Sequence, residues 1–346
     1  MTLDDIQPLD TGRMYDLIRQ FPDQLRDGRS RAQDVPLPAA LDDLDHIVVA
    51  GMGGSAIGGD LVRTLVQPTA PVPMTVVRDY TLPAYVGPGT LLVASSFSGN
   101  TEETLTVLDE AARRRARILC VTSGGQMLEI ARNEGYPVVQ IPGGMPPRAA
   151  LGYSFAAVMT LAERLGLAPA DAAAWDEAMA LLEAQTAACA DPAGNEALDL
   201  ARTLHGKLPV VYSGPGLMEA VNLRWRGQFQ ENSKVYATGN LFPEMNHNEI
   251  MGWQYPGAVH ALLAVVVLRD RGDHPRIRRR LDVTGRLLGD RAASWTEVES
   301  RGTAPLARLL SLVNLGDWVS FYLALLQAVD PTPIPLIDAL KEAMQA

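Results

Sequence analysis

The sequence predicts an α/β fold built from two related units, each a parallel sheet with helices on both faces. At 346 residues the chain is longer than one typical domain. In its first half, five short apolar segments are mostly separated by helical patterns, which is typical of a parallel sheet. A succession of strand, glycine loop and helix at residues 46–66 returns at residues 208–231. We therefore expect one domain at 1–152 and a second at 153–346.

Each predicted element of the first half has its own sequence pattern. Apolar residues at helical spacing, including Met14, Leu17 and Phe21, predict an amphipathic helix over roughly residues 10–25. Strands are predicted where short apolar runs end in glycine or polar clusters. The five strands cover residues 45–50, 73–78, 90–94, 117–122 and 137–141, and helices follow the first, third and fourth of them.

The second half begins with alanine-rich helices and then repeats the alternation of strand and helix. The helical pattern covers residues 151–190, with a break near 167–174. A glycine turn at Gly214-Pro-Gly216 follows a buried strand at 208–213 and precedes a long helix that ends at about Glu231. Later predicted elements occupy residues 234–237, 259–268, 276–288, 294–298, 305–327 and 334–344, with an irregular loop at 239–252.

Composition and charge narrow the class of protein. The apolar share of 47% permits a large core, and the net charge of −10 argues against a nucleic-acid surface. We expect no apolar run of membrane-spanning length, and the start of the chain lacks the pattern of a signal peptide. The two cysteines, Cys120 and Cys189, do not form a disulfide framework. We therefore expect a cytoplasmic protein without nucleic-acid or membrane partners.

The most informative loop, Ser95-Ser-Phe-Ser-Gly-Asn-Thr-Glu-Glu-Thr104, follows the predicted strand at 90–94. Asn100 is predicted to cap the next helix, with Glu103 as its partner in a capping box. Free N–H groups and the dipole at a helix start favour an anion, and serine and threonine hydroxyls adapt to phosphate oxygens. The loop therefore indicates a phosphate site, and an ordinary capped strand-to-helix turn is the alternative.

The glycine loop Gly51-Met-Gly-Gly-Ser-Ala56 allows two interpretations. It fits the dinucleotide-binding fingerprint, and Asp79 closes the next strand, so a nicotinamide dinucleotide site is one of them. The glycine cluster continues through residues 58–59, however, well into the expected helix. In the other interpretation, Gly54 and Ser55 bring backbone N–H groups close to a compact polar ligand.

Three further side chains have sequence contexts that suit chemistry. Arg148 follows two prolines that stiffen the backbone before it. Glu231 is predicted at a helix C-terminus, where a carboxylate faces the negative end of the helix dipole, a position that suits a general base. His247 lies in the polar loop Asn246-His-Asn-Glu249 and has no partner at metal-binding spacing, so we expect no metal. Surface or structural roles are the alternative for all three.

Six short motifs follow one another along the chain: Gly51-Met-Gly-Gly-Ser55, Ser96-Phe-Ser-Gly-Asn-Thr101, Pro147-Arg148, Arg224-Trp-Arg226, Glu231-Asn232 and Asn246-His-Asn-Glu249. In this order they resemble the motifs of the bifunctional phosphoglucose/phosphomannose isomerases, a branch of the sugar isomerase (SIS) domain superfamily. The resemblance covers nearly the whole chain and implies two SIS-type domains. Its most specific part is the segment from Glu231 to Glu249.

The resemblance also implies a binding role for five residues of the first half. In similar proteins the serine loop binds the sugar phosphate, which corresponds here to Ser96, Ser98 and Thr101. The glycine loop lines the sugar, which corresponds to Gly54 and Ser55.

Catalytic roles are implied in the same way. Arg148 would stabilise an enediolate, Glu231 would move a proton between C1 and C2, and His247 would open the sugar ring. In similar proteins the histidine typically comes from the partner subunit of a homodimer. Lys341 is the candidate for a lysine on the last helix, and Thr332 is the candidate for a small hydroxyl residue that discriminates between C2 epimers.

The implied reaction interconverts fructose 6-phosphate with glucose 6-phosphate and mannose 6-phosphate through a cis-enediol and requires no cofactor. Two alternatives stay open at this point. SIS domains also serve as effector-binding modules, so a non-catalytic sugar-phosphate-binding protein is one of them. The other is a dinucleotide-dependent oxidoreductase, which depends on the glycine loop alone.

Overall fold

The computed structural model describes residues 2–344 and divides the chain into two compact units. The N-terminal unit comprises Gln20–Met179 and Ala304–Leu306, and the C-terminal unit comprises the residues up to Arg19, Ala180–Thr303 and the residues from Ala307 onward. The predicted domain boundary between residues 152 and 153 stays a prediction.

Within residues 2–344, nine strands form two parallel sheets, and the order of strands in the sheets is β2-β1-β3-β4-β5 and β7-β6-β8-β9. The strands are β1 (His46–Ala50), β2 (Met74–Val77), β3 (Thr90–Ser96), β4 (Arg117–Thr122), β5 (Val138–Gln140), β6 (Leu208–Ser213), β7 (Thr238–Leu241), β8 (Leu263–Arg269) and β9 (Ser294–Glu299).

Helices fill most of the remaining chain. They are α1 (Leu3–Ile6), α2 (Met14–Arg19), α3 (Phe21–Gln33), α4 (Gly53–Val66), α5 (Glu102–Arg113), α6 (Gly125–Glu134), α7 (Leu151–Leu165), α8 (Ala172–Cys189), α9 (Glu196–Leu204), α10 (Leu217–Glu231), α11 (Glu249–Gly252), α12 (Gly257–His260), α13 (Pro275–Leu288), α14 (Pro305–Leu326) and α15 (Pro335–Met344). Short 3₁₀ turns lie at Leu41–Asp43, Pro147–Ala149, Glu244–His247 and Gly289–Arg291.

The sheet of the N-terminal unit has helices on both faces, as the sequence predicts. Every residue of β3 is buried, as expected for a strand covered on both sides. On one face, Ala94 belongs to a core cluster that includes Leu108 of α5 and Met127 of α6. On the other face, α4 lies so close that a Cβ added at Gly59 would be 2.8 Å from a methyl carbon of Val49. The predicted α/β class is therefore confirmed for this unit.

The C-terminal unit repeats the parallel arrangement around a second core. Tyr212 of β6, Val267 of β8 and Leu281 of α13 belong to one buried cluster. The 22-residue helix α14 is long and apolar enough to cross a membrane, contrary to our expectation of no such run, but 94% of its most apolar stretch is buried inside the protein. Trp318 and Tyr322 stack there with ring centroids 5.9 Å apart. The helix is therefore part of the core of this unit.

Helices α10 and α14 are held together by a buried ion pair. Arg224 donates through Nε and Nη2 to the two oxygens of Asp317, at 3.0 and 2.7 Å, and Gln228 donates to the same carboxylate at 2.9 Å. Burial raises the pKa of Asp317, which Arg224 opposes. Beside this pair, Gly316 gives room for Trp225, since an added Cβ would lie 2.4 Å from the indole nitrogen. These contacts fix the helix that ends at Glu231.

Four predicted elements differ in the structure. The segment 239–252, expected as an irregular loop, contains most of β7, the 3₁₀ turn Glu244–His247 and α11. The single helix predicted over residues 10–25 is two helices, α2 and α3, because Pro22 in the first turn of α3 lacks the N–H that a continuous helix needs. The element expected at 234–237 is a strand that begins later, at Thr238, because the backbone turns at Lys234 with a φ of 56°. The element expected at 259–268 is α12 followed by β8.

Candidate functional site

The glycine loop and the serine loop are neighbours at the carboxyl edge of the N-terminal sheet. Their strands, β1 and β3, are adjacent and parallel, with Ala50 opposite Ala94. Ser55, in the first turn of α4, accepts a hydrogen bond at its Oγ from the Phe97 N–H at 3.1 Å. A Cβ added at Gly51 would lie 2.7 Å from the carbonyl oxygen of Ser95. The structure therefore brings the two loops into direct contact.

Hydroxyl groups are held close together within the serine loop. Ser96 Oγ and Thr101 Oγ1 are 2.8 Å apart, and Ser96 Oγ also accepts from the Gly99 N–H at 3.1 Å. Ser98 Oγ accepts from the Asn100 N–H at 3.2 Å. Ser96 is buried, Thr101 is half-buried and Ser98 is exposed. The loop thus presents neutral hydroxyls at increasing depth, a set that adapts to the oxygens of a phosphate.

The predicted capping box at this loop is wrong. Helix α5 begins at Glu102, and within residues 2–344 no side chain caps its first turn. Asn100 instead accepts a hydrogen bond at Oδ1 from the Gln126 N–H at 3.0 Å, in the first turn of α6. The N–H groups of the first turn therefore lack a side-chain acceptor, and together with the helix dipole they favour an anion.

The loop after β4 supports the serine loop from behind. Gly99 has a φ of 69°, and a Cβ added there would lie 1.8 Å from the carbonyl oxygen of Gly124. The Met127 N–H donates to the Gly99 carbonyl at 2.9 Å. Only glycine fits at position 99 without a shift of the backbone, because both the left-handed φ and the close approach exclude a side chain.

Arg148 lies beside the glycine loop. It occupies the 3₁₀ turn Pro147–Ala149 and is only 2% exposed. A Cβ added at Gly54 would lie 2.8 Å from the carbonyl oxygen of Pro147 and 3.2 Å from the amide nitrogen of Arg148. The structure therefore brings Gly54, Ser55 and Arg148 together at one edge of the sheet, with the serine loop next to them.

Glu231 lies at a cleft of the C-terminal unit. It is the last residue of α10 and is half-buried. The ammonium group of Lys234 donates to the main-chain carbonyl of Glu231 and, at 3.2 Å, to that of Pro331. The cleft has a volume of about 630 Å³, and Tyr236 and the first turn of α15 complete its walls. The predicted base thus borders a space large enough for a small ligand.

His247 ends the 3₁₀ turn Glu244–His247 of the C-terminal unit and is exposed. The residues beside it are anchored to the core. Asn246 donates through Nδ2 to Thr284 Oγ1 at 2.9 Å. Glu249 accepts hydrogen bonds from Tyr212 Oη and, at 2.7 Å, from Asn240 Nδ2. An exposed imidazole is therefore presented on a backbone that is fixed on both sides.

The two remaining candidates lie near the C-terminus of the same unit. Lys341 is exposed on α15, one turn beyond the residues that line the cleft at Glu231. Thr332 is half-buried, and its N–H donates to Asp330 Oδ1 at 2.8 Å. A Cβ added at Gly12 would lie 2.3 Å from Thr332 Oγ1. The structure thus packs Thr332 against the N-terminal segment and leaves the ammonium group of Lys341 accessible.

Metal-binding side chains do not cluster in the part of the chain that the structure describes. Among residues 2–344, no group of three or more His, Cys, Asp or Glu side chains could hold a metal ion.

Sequence reasoning missed the residues that support these candidates. Tyr212 of β6 and Asn240 of β7 hold the loop that carries His247, and they lie 37 and 9 residues before Glu249 in sequence. Gly124, which faces Gly99, follows the carboxyl end of β4, and that position was the available signal. Supporting contacts of this kind depend on tertiary packing, which local sequence patterns do not show.

Comparisons with known proteins agree with this architecture. The model of the SIS domain family matches residues 40–164, and that of the bacterial phospho-glucose isomerase C-terminal SIS domain matches residues 193–344. The C-terminal domain of a glucosamine-fructose-6-phosphate aminotransferase from Francisella tularensis has a similar fold, with a TM-score of 0.74 and 16% identity. That similarity covers 92% of this chain and 98% of the other.

Two curated proteins are similar over most of their length. A bifunctional phosphoglucose/phosphomannose isomerase of Caldicellulosiruptor bescii is 40% identical over 334 residues, which cover 96% of this chain and 98% of that protein. One of Aquifex aeolicus is 37% identical over 300 residues, which cover 86% and 90% of the two chains. With the doubled SIS architecture and the glycine and serine loops in place, the chain belongs to the family of bifunctional phosphoglucose/phosphomannose isomerases.

Proposed function

We propose that the protein interconverts fructose 6-phosphate with both glucose 6-phosphate and mannose 6-phosphate. The observation that carries the proposal is the contact between the serine loop, the glycine loop and the uncapped start of α5 in the N-terminal unit. These donors suit a phosphate, and we call the proposed site the phosphate seat. Family membership supports the reaction type, since relatives of this chain are named as isomerases of both sugars.

The phosphate group would be bound by neutral donors. Ser96, Ser98 and Thr101 offer hydroxyls, and the first turn of α5 offers N–H groups and the positive end of its dipole. Gly54 and Ser55 would line the sugar. Binding energy gained at the phosphate end then orients the reacting carbons at the other end of the substrate.

Three side chains would carry the chemistry. His247 would donate a proton to the ring oxygen as the ring opens. Glu231 would take the proton from C2 of the open-chain aldose and return it to C1, and the reverse reaction uses the same path. Arg148 would stabilise the negative charge on the enediolate oxygens. One base facing a cis-enediol serves both C2 epimers if the sugar rotates about its C2–C3 bond.

The C-terminal candidates would assist. Lys341 would add a second positive charge at the site, and Thr332 would contribute to the discrimination between C2 epimers. No cofactor is needed, because the reaction moves one proton between adjacent carbons and one between their oxygens, and it exchanges no electrons with another molecule.

A homodimer is part of the proposal, with His247 contributed by the partner subunit. The exposure of His247 and the surface of α15 support it. All ten residues of α15 are exposed, among them Leu336, Leu340 and Met344 at helical spacing. A helix this short is marginal in water without packing partners, and a second copy would cover its apolar side. A cytoplasmic location fits the free, buried cysteines.

Coupled assays of each hexose 6-phosphate, with enzyme treated with a chelator beforehand, test the function. We expect turnover of both sugars and a loss of about 100-fold or more in kcat for both when Glu231 is replaced by Gln. A Glu231→Gln enzyme that keeps either activity near the wild-type rate would show that another group is the base. Loss of activity on chelation would show a metal-dependent mechanism.

A non-catalytic sugar-phosphate-binding protein is the second candidate, because the phosphate seat alone would suffice for binding. Calorimetry with fructose 6-phosphate separates the two. Tight binding without turnover of any hexose 6-phosphate would favour the binding protein. Titration with NADH, followed by fluorescence, tests the dinucleotide interpretation of the glycine loop, for which we expect no binding.

A further inference from the structure

The backbone that carries His247 is anchored on both sides of the imidazole. We call residues 244–249 the His247 segment. It contains two polar side chains, Asn246 and Glu249, that reach away from the surface toward the buried Thr284 and Tyr212. Glu244 and Asn248, by contrast, bond to each other at 2.6 Å on the exposed side.

The anchor after His247 is the carboxylate of Glu249. Its two oxygens accept from different donors, Tyr212 Oη and Asn240 Nδ2, the second at 2.7 Å. Tyr212 is fully buried and is itself held by the indole N–H of Trp253 at 3.1 Å. Burial and the neighbouring Glu249 both raise the pKa of Tyr212, so the phenol stays protonated and remains a donor. Both oxygens of Glu249 are therefore engaged by fixed donors from β6 and β7.

The anchor before His247 is the amide of Asn246. Its Nδ2 donates to Thr284 Oγ1 at 2.9 Å, and its Oδ1 accepts from Arg280 at 3.3 Å. Thr284 is buried in α13, whose inner face belongs to the core of the unit. This side of the segment is therefore fixed to a different element from the other side.

We infer that Glu249 and Asn246 are positioning residues for ring opening, and that Glu249 takes no part in proton transfer. The inference rests on the proposed role of His247. A proton donor must lie within hydrogen-bond reach of the ring oxygen, and a displacement of about 1 Å can cost on the order of 100-fold in rate. His247 is exposed, so its neighbours hold its backbone: the buried side chain of Met245 and the polar anchors at positions 246 and 249.

A carboxylate two residues from the proposed ring-opening histidine is itself a candidate acid or base. The contacts of Glu249 argue against that role, because each oxygen already accepts a hydrogen bond from a donor that is held in place. Glu231 borders a cleft, whereas Glu249 reaches a buried tyrosine. The two carboxylates therefore have different tasks, which one experiment can separate.

The experiment measures ring opening and isomerisation separately on glucose 6-phosphate. Exchange between the α and β anomers, followed by exchange NMR, requires ring opening but no proton transfer between carbons. A coupled assay measures isomerisation. Glu249→Gln places an amide against two donors and must break one hydrogen bond, so we expect both rates to fall about 10- to 100-fold with KM changed less than twofold.

Glu244→Gln is the matched control. It makes the same chemical change three residues before His247, on the exposed side of the segment, and both rates should stay within twofold of wild type. Asn246→Leu should lower both rates like Glu249→Gln. Asn246→Asp keeps two acceptors, one for Arg280 and one for the Thr284 hydroxyl, and should therefore retain most of the activity that Asn246→Leu loses.

A double-mutant cycle tests the anchor itself. Tyr212→Phe removes one donor to Glu249, and in the Glu249→Gln background it should cost less than it does alone, because the two changes act on one pair of contacting residues. Tyr212→Phe also serves if Glu249→Gln fails to fold, since it removes one oxygen atom only. Full additivity of the two losses would overturn the anchor.

The outcomes separate the inference from the proposed function. Wild-type anomer exchange that is lost in His247→Ala but kept in Glu249→Gln and Asn246→Leu would refute the positioning role alone. Loss of isomerisation with intact anomer exchange in Glu249→Gln would make Glu249 an acid or base and refute the inference. A wild-type protein without anomer exchange would refute both the inference and the proposed ring opening.

Discussion

The loops after β3 and β8 occupy the same place in two similar sheets and have opposite chemistry. Strand β3 lies between β1, which precedes the glycine loop, and β4. Strand β8 lies between β6, which precedes the glycine turn Gly214-Pro-Gly216, and β9. The loop after β3 contains hydroxyls and a glycine with positive φ. The loop after β8 contains two buried carboxylates, Asp270 and Asp273.

Hydrogen-bond partners explain how the fold tolerates two buried carboxylates in this loop. Asp270 accepts from Ser300 Oγ at 2.6 Å and from Arg308 at 3.0 Å. Asp273 accepts from the Asp270 N–H at 3.2 Å, and a Cβ added at Gly214 would lie 2.5 Å from its carboxylate. A carboxylate therefore lies against the glycine turn of this sheet, where the other sheet has Ser55 bonded to the serine loop.

The helices that follow these two loops also start differently. Helix α13 is capped by His274, whose Nδ1 accepts from the Arg276 N–H at 3.1 Å, whereas no described side chain caps α5. The doubled fold therefore does not by itself make an anion site. Hydroxyls and uncapped N–H groups in one unit suit an anion, whereas carboxylates beside a capped helix start oppose one at the corresponding place in the other.

The largest effect is expected from Gly99→Ala, compared with Gly206→Ala in the C-terminal unit. Both glycines have a positive φ near 70°, at 69° and 72°. A Cβ at Gly99 would collide with Gly124, whereas no described atom lies within 4 Å of one at Gly206. We expect Gly99→Ala to lower kcat/KM about 100-fold and stability by at least ~2 kcal/mol, against about 1 kcal/mol for Gly206→Ala.

Steady-state kinetics and thermal denaturation of the two variants measure this difference. Equal losses at both positions would mean that the contact between Gly99 and Gly124 contributes nothing beyond backbone strain.

The next largest effect is expected when a carboxylate is added to the serine loop, so that it resembles the loop after β8. Ser98→Asp adds a carboxylate at an exposed position, so folding should be unaffected. Repulsion between this charge and the substrate phosphate should raise KM about 10- to 100-fold, and the effect should shrink at high salt. Ser98→Asn is the neutral control of nearly the same shape. A KM that is equal in both variants would contradict a phosphate site at this loop.

A smaller loss is expected from Ser96→Ala. The change removes a hydroxyl that bonds to Thr101 and to the Gly99 N–H, and the net value of such bonds is roughly 1 kcal/mol. We therefore expect KM to rise about 3- to 10-fold with little change in kcat. Ser300→Ala removes a hydroxyl from the corresponding region of the other unit and should leave KM unchanged. Kinetics with fructose 6-phosphate distinguish the two variants.

The smallest effect on activity is expected from Asp273→Asn, which should change only the pH dependence of stability. Burial raises the pKa of Asp273 from 3.8 to about 6. Between about pH 4 and 6 the folded protein binds a proton at Asp273 that the unfolded chain has released. The free energy of unfolding therefore falls as pH rises through this range. Asp273→Asn should be more stable than wild type at pH 7, by about 1–2 kcal/mol, and the difference should vanish below pH 4.

Melting temperatures of wild type and Asp273→Asn across pH 4–7 measure this difference. A gap that stays constant with pH would mean that the carboxyl does not titrate in this range.

The sequence predicted the strands and the candidate loops better than their contacts. Buried apolar runs such as 90–94 and 117–122 identified β3 and β4 because a parallel strand is apolar on both faces. The capping box failed because Asn100 bonds to Gln126, which is distant in sequence. The turn at Lys234 was missed because lysine gives no local signal for a positive φ.

Helix α10 limits how this protein can vary in length through evolution. Trp225 fits against Gly316, and Arg224 binds Asp317, so the first part of the helix is fixed in rotation about its axis. Each residue inserted between Trp225 and Glu231 would turn the terminal carboxylate by about 100° and move it by about 1.5 Å. Insertions and deletions are therefore expected in surface loops and not in this stretch, and a larger residue at position 316 should appear together with a smaller one at position 225.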